Sequence, residues 1–329
     1  VTVGNTEDDL GKLSDVDWIV EAVVEDLAVK QALFRRIEQV RKPGCIVSSN
    51  TSTIRRAALI DDLGDGFADH FVVTHFFNPP RHMRLMEIVA GDNAGTDIVA
   101  RTRHAAAIAL GKTVVMARDT PGFIANRIGC YWMAMAAMEA LRLGLTIEEA
   151  DAVAGQPFGV PRTGVFGLFD LVGIDLVPHV WKSLERALPQ DDDLQQFRLT
   201  QQPLFRAMIE RGLHGRKTKA GGFYRVDAER KRYALDHASL DYRPERPADL
   251  PALKAAGGDL RALCATDDKA GAYAAAVLTR LVQYAAGVGP QIADDVGAID
   301  TAMKLGYGWS KGPFELADQV GAGWIAERL

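Results

Sequence analysis

The sequence predicts an α/β fold, in which a partial doubly wound sheet is followed by two mainly helical segments. Three observations predict it. Apolar runs at Asp17–Val24, Cys45–Ser48, Phe71–Thr74 and Thr113–Ala117 read as strands. Helical spacings alternate with them up to Val115, which is the layout of a doubly wound sheet. Beyond the turn Asp119-Thr120-Pro121-Gly122, long amphipathic helical patterns take over, and part of that region recurs further along the chain.

Taken in order, the first residues read as the tail of something earlier, since Val1 is not an initiator methionine. Lys30–Val40 carries apolar residues at Ala32, Leu33, Phe34, Ile37 and Val40, a helical spacing that Pro43-Gly44 ends. Leu85–Val89 is a further strand. Gly122–Leu143 is expected as one long helix rich in Ala and Met, with Met133, Met135 and Met138 in its core face. Thr146 opens the next helix, with Glu149 in the capping-box position. Helices are expected near Leu176–Leu188 and Leu194–Arg211, then a basic, glycine-rich loop over Gly212–Arg225. Asp170, Phe166 and Gly173 recur as Asp318, Phe314 and Gly321 at a constant offset, 318 − 170 = 148, so the helical segment reads as duplicated. The expected division is an incomplete nucleotide-type α/β domain at 1–118, a helical domain at 119–225, a linker at 226–250 and a second helical copy at 251–329.

The chemistry centres on His75–Glu87, HFFNPPRHMRLME. One apolar run delivers a histidine to a strand tip, Asn78-Pro79-Pro80 stops it, and a second run carries a carboxylate. A neutral imidazole titrates ordinarily near about 6.5, and a carboxylate on its far nitrogen sets the tautomer and stabilises the imidazolium. The pair therefore reads as a general base with its orienting acid. A lone histidine at a strand end equally suits an ordinary satisfied residue.

Other motifs accompany the pair: WIVEAVVEDLAVK at Trp18–Lys30, SSNTST at Ser48–Thr53 and DTPGFIANR at Asp119–Arg127. In that order, over residues 15–130, the four resemble the NAD-dependent 3-hydroxyacyl-CoA dehydrogenase family of fatty-acid β-oxidation. The resemblance implies a Rossmann-type sheet, NAD as cofactor, an acyl-CoA substrate, and a homodimer through the helical domains. It implies that His75 is the base and Glu87 its partner, that Ser52 lies between substrate and nicotinamide, and that Asn126 holds the substrate carbonyl. For the cofactor it implies Glu25, Lys30, Ser52 and Asn78, with Lys217, or Lys219 in a neighbouring register, as a further contact. Without the resemblance, Ser52 reads as a turn or cap residue, Asn78 as a shaper of the turn, Asn126 as bonded to backbone, and the charged residues as solvated. One feature departs from the family: a dinucleotide fold opens with a GxGxxG turn, and no such turn occurs in this context. The resemblance thus implies that about half of the NAD domain is missing from these residues.

Net charge is −5 without a long basic block, which argues against nucleic acid as a partner. Cys45, Cys130 and Cys264 are widely spaced with no CxxC pairing, so reduced thiols in a cytoplasmic setting and no metal site are expected. The most apolar helix candidate, Ile128–Leu145, carries Glu139 and Arg142 and falls short of a membrane span, and Val1–Leu10 is too polar for a signal peptide. Two rival readings are a folded fragment that binds acyl-CoA without turning it over, and a β-hydroxyacid dehydrogenase with a lysine base. The histidine and glutamate with HFFNPP argue against the second.

Overall fold

The computed structural model describes all 329 residues, Val1–Leu329. The chain divides into two compact units, Val1–Asn126 with Gly289–Gly306, and Arg127–Val288 with Tyr307–Leu329.

The first unit holds β1 (Trp18–Glu21), α1 (Leu27–Val40), β2 (Ile46–Ser49), α2 (Arg56–Leu59), α3 (Asp65–Ala68), β3 (Phe71–Phe76), β4 (Leu85–Val89), α4 (Thr96–His104) and β5 (Thr113–Met116). Its five-stranded sheet has the order β1-β2-β3-β4-β5. The first three strands run parallel, β4 runs antiparallel to β3, and β5 runs parallel to β4. The alternation of helix and strand is thus interrupted between β3 and β4, where the two apolar runs form strands joined by a loop as expected. Only a loop, including the cis bond Asn78-Pro79, joins them, so the chain must return antiparallel. One face of the sheet packs Ile46, Val72, Met86 and Ile88 on Ile98 and Ala106. On the other, the rings of Phe34, Phe67 and Phe71 meet at centroid distances of 5.0 to 5.9 Å. β1 is an edge strand, and it is shorter than the Asp17–Val24 run because Glu21 turns the chain: its carboxylate accepts the Val23 N–H at 2.6 Å. Asp26 then caps α1 by accepting from the Val29 N–H.

α5 (Ala125–Arg142) opens at the end of the first unit and runs on through the second. It starts later than the expected Gly122 because Gly122 and Phe123 take left-handed backbone, at φ 78° and 52°. The second unit continues with α6 (Ile147–Val153), α7 (Phe166–Val172), α8 (Val177–Ala187) and α9 (Pro203–Glu210). Thr146 and Glu149 form the expected capping box on α6. The single helix expected over Leu194–Arg211 is instead two 3₁₀ turns and α9, broken by left-handed Arg198 at φ 35° and by Pro203.

Residues 226–250, expected as a linker, include two strands of a three-stranded antiparallel sheet made of β6 (Tyr224–Val226), β7 (Arg232–Leu235) and β8 (Tyr242–Pro244). Its register pairs Tyr224 with Ala234, and Ala234 with Arg243. Then follow α10 (Pro251–Ala256), α11 (Leu260–Cys264), α12 (Lys269–Ile292), α13 (Val296–Tyr307), α14 (Pro313–Val320) and α15 (Ala322–Ala326). The expected second copy at 251–329 is not one body, because Gly289–Gly306 belongs to the first unit. There the Arg118 N–H donates to the Ile292 carbonyl, and a Cβ on Gly306 would meet Leu85 at 2.8 Å. α7 and α14 do share one feature: each ends on a glycine of nearly equal backbone, Gly173 at φ 105° and ψ 121°, Gly321 at φ 101° and ψ 115°. No helix is long and apolar enough to cross a membrane, and Cys45, Cys130 and Cys264 are buried free thiols.

Candidate active site

The antiparallel pairing of β3 with β4 makes His75 and Glu87 direct register partners. Opposed residues share a face, which is how a spacing of twelve in sequence becomes contact. His75 Nδ1 and Glu87 Oε2 lie 2.7 Å apart, and both side chains are buried. The carboxylate accepts a hydrogen bond from Nδ1–H, which leaves Nε2 with the ring's free lone pair. The ring is held by Phe77 and Phe123 at centroid distances of 4.5 and 5.6 Å.

Glu87 has a second anchor. Its Oε1 accepts from the backbone N–H groups of Ile124 at 3.1 Å and Ala125 at 2.8 Å, where α5 begins. A carboxylate at a helix start satisfies otherwise orphaned donors and suits the helix dipole. The left-handed backbone at Phe123, costly for a side chain that carries Cβ, is the turn that brings those two N–H groups to Glu87. Asn126 follows directly. It is half-buried, and its amide makes no hydrogen bond within the chain.

Ser52 sits in the loop after β2. Its hydroxyl has no protein partner, while its N–H donates to Glu25 Oε1 at 2.9 Å. The same oxygen accepts from the Thr51 hydroxyl at 2.6 Å and the Thr53 N–H at 3.1 Å. Burial alone would raise the Glu25 pKa, but these donors and nearby Lys30 outweigh it and hold the carboxyl below its ordinary range. Asn50 ties the loop to the neighbouring strand, its Oδ1 accepting the Phe76 N–H at 2.9 Å. The Ser52 loop and the His75 strand end are thereby fixed to one another. Sequence reasoning passed over Asn50; its place directly after a strand, in a run of hydroxyl residues, was the available signal.

One expected cofactor contact needs correction. Lys30 is 1% exposed, and its ammonium is already spent: it meets Glu21 Oε1 at 2.8 Å, the Val23 carbonyl at 3.3 Å and Glu25 Oε2 at 3.4 Å. It holds Glu25 in place and does not face an open site. Lys217 belongs to the second unit and pairs with Asp175 at 2.5 Å, while Lys219 has no ion pair. Asn78 is exposed in the β3–β4 loop, and its side chain is unbonded. Glu25 retains a carboxylate 37% exposed at the C-terminal edge of β1, the edge where open α/β sheets take ligands.

Residues 1–120 match the family model described as 3-hydroxyacyl-CoA dehydrogenase, NAD binding domain, and 122–226 match its C-terminal domain. A probable 3-hydroxyacyl-CoA dehydrogenase of Bacillus subtilis is 40% identical over all of this chain, which covers 42% of that relative. A putative fatty acid oxidation complex trifunctional enzyme of Rickettsia felis is 36% identical over 96% of this chain and 43% of its own length. The chain thus spans less than half the length of these curated relatives. Among solved structures, a 3-hydroxybutyryl-CoA dehydrogenase from Escherichia coli K12 shares the fold, with a TM-score of 0.73 at 21% identity over 96% of this chain and 77% of that one. Both halves of the family model, met in order along the chain, and a 40% identical relative along its whole length lead to one statement. This chain belongs to the 3-hydroxyacyl-CoA dehydrogenase family.

Proposed function

We propose that this chain carries the proton-transfer and substrate-side machinery for oxidising an (S)-3-hydroxyacyl-CoA to the 3-ketoacyl-CoA in fatty-acid β-oxidation. The observation that carries the reading is Glu87, whose two oxygens bind His75 and the start of α5 at once. His75 Nε2 takes the proton of the substrate 3-hydroxyl. Glu87 balances the imidazolium without giving up its grip on α5. Asn126, with a free amide one residue past that grip, holds the substrate carbonyl, and the free Ser52 hydroxyl orients the reacting oxygen.

The residues present fit the nicotinamide end of NAD. The unbonded Ser52 hydroxyl, the unbonded Asn78 amide and the accessible Glu25 carboxylate offer donors and an acceptor for its ribose and amide, with Lys30 acting through Glu25. When bound, NAD⁺ supplies the acceptor for the hydride leaving C3. General acid–base catalysis contributes about 10²- to 10⁴-fold, so the fixed loop and strand end must supply much of the remainder by positioning.

His75→Ala tests the assignment: turnover of 3-hydroxybutyryl-CoA should disappear while NADH affinity stays near normal. A parallel loss of NADH affinity would refute the role of base. A second reading, a folded chain without turnover of its own, is favoured by the free edge of β1, where Val20, Val24, Leu27 and Val29 stand exposed. Calorimetric titration with NADH separates the two. The same proposal includes a cytoplasmic setting, duplicated helical segments and a homodimer; the exposed Leu171, Val172 and Leu176 at the end of α7 support a self-association that sedimentation would detect.

A further inference from the structure

The second unit contains an open cavity of about 1100 Å³ between α6, the basic glycine-rich loop, β6 and α10. Six cationic side chains line it, Arg162, Arg216, Lys219, Arg225, Arg232 and Arg246, on a chain whose net charge is −5. The three carboxylates on its wall are all committed. Glu148 receives both arms of Arg243 at 2.6 and 2.8 Å, and Glu245 is paired with Arg232. Asp151 accepts from the Phe166 and Gly167 N–H groups and from the Tyr224 hydroxyl, and burial pushes its pKa up to about 7, which thins its charge further. Arg162, Arg216, Lys219 and Arg246 are left without a carboxylate within ion-pair distance.

Arg225 supplies a second, independent observation. Its guanidinium carbon lies 4.3 Å from the Tyr242 ring centroid and 5.2 Å from that of Tyr233, and its Nε is buried with no acceptor. A buried donor without a partner is rare and marks a place for an acceptor the chain does not provide. The loop is shaped for the same end. The Gly215 N–H donates to the Gly221 carbonyl at 2.8 Å, which closes a narrow turn carrying Arg216, Thr218 and Lys219, while Lys217 is diverted to Asp175.

We propose that this cavity binds a phosphorylated nucleoside-type ligand, its phosphates held by Arg162, Arg216, Lys219 and Arg225. Guanidinium forks match phosphate oxygens in geometry and charge. Leu253, Pro157 and Pro247 give the apolar wall a base requires, and the volume exceeds what inorganic phosphate would fill. The site stands in a different unit from His75, and it does not depend on the proposed reaction.

The test is calorimetric titration of this chain at low salt with ADP, coenzyme A, pyrophosphate and adenosine. ADP and coenzyme A should bind, adenosine should not, and added salt should weaken the binding. Coenzyme A about tenfold tighter than ADP identifies the ligand as the nucleotide tail of a thioester substrate; equal affinities identify a free nucleotide. The double variant Arg216→Ala with Lys219→Ala, on an exposed loop, should weaken binding by about tenfold or more at unchanged melting temperature, and Arg225→Leu should act in the same direction. His75→Ala should leave binding untouched. No binding of any phosphorylated probe, or binding that the double variant does not weaken, overturns the proposal.

Discussion

Replacing Glu87 by glutamine is the sharpest perturbation of the site. The carboxylate accepts one hydrogen bond from His75 and two from backbone, all buried. A hydrogen bond to a charged group is worth about 1.5–3 kcal/mol and a neutral one about 0.5–1.5. Glutamine keeps its carbonyl oxygen for the Ile124 and Ala125 N–H groups, so each weakens by about 1 kcal/mol and the fold loses about 2 kcal/mol in total. The amide –NH₂ then faces His75 Nδ1. The ring must accept there, its proton moves to Nε2, and the lone pair needed by a base is gone. The expected result is a fall in kcat of about 10²- to 10⁴-fold with NADH affinity retained and a modest shift in the urea midpoint. Initial rates with 3-hydroxybutyryl-CoA, NADH titration and urea melts measure the three quantities. If kcat stays close to wild type while the urea midpoint moves as expected, tautomer control by Glu87 is wrong.

Three further outcomes are expected. Lys30→Met strands buried Glu21 beside Ser49, and breaking such a pair should cost about 3–5 kcal/mol in urea unfolding; a fall in NADH affinity without that destabilisation would restore Lys30 as a direct cofactor contact. Phe123 sits at φ 52° with its ring fully buried. Alanine there keeps the left-handed penalty that glycine escapes, so Phe123→Gly should be more stable than Phe123→Ala by about 1 kcal/mol despite the smaller side chain; the reverse order would deny the turn. Asp151, raised by burial from 3.8 to about 7, binds its proton more tightly folded than unfolded, so its share of stability is present in acid and is lost as pH rises from about 4 through about 7. At about 1.36 kcal/mol per pH unit that share is on the order of 4 kcal/mol. Asp151→Asn should flatten that part of the stability profile, and an unchanged slope would show that the carboxyl ionises freely.

Much of the first unit could be read from sequence because its signals are local. Leu85–Val89 forms a strand with the expected bounds, and the Thr146 capping box is present as spaced. His75 and Glu87 meet because two apolar runs joined by a proline-bearing loop can only return on one another. Lys30 misleads for the opposite reason. Its sequence neighbours describe a solvated helix start, and its burial follows from Glu21 and Glu25, which the turn after β1 folds back over it. The break before α9 combines Pro203, a legible stop, with left-handed Arg198, a residue type that carries no such signal. The strands β6 and β8 hold three residues each, too few for a period of two to show among prolines and charges.

Glu87 also explains why this site is built on a reversed strand. Were β4 parallel to β3, its carboxylate would enter the sheet from the far end, away from the loop that follows β5. Antiparallel pairing puts Glu87 opposite His75, and the parallel β5 then carries the chain back toward the turn at Asp119–Phe123. The two oxygens of one carboxylate can therefore serve two elements: one the proposed base, the other the helix that carries Asn126. Any movement of the α5 start pulls on Oε1 and is felt at Nδ1, so the base and the proposed substrate ligand keep their spacing as a unit. Substitutions of Glu87 and Asn126 should accordingly be strongly non-additive, with the double variant little slower than Glu87→Gln alone.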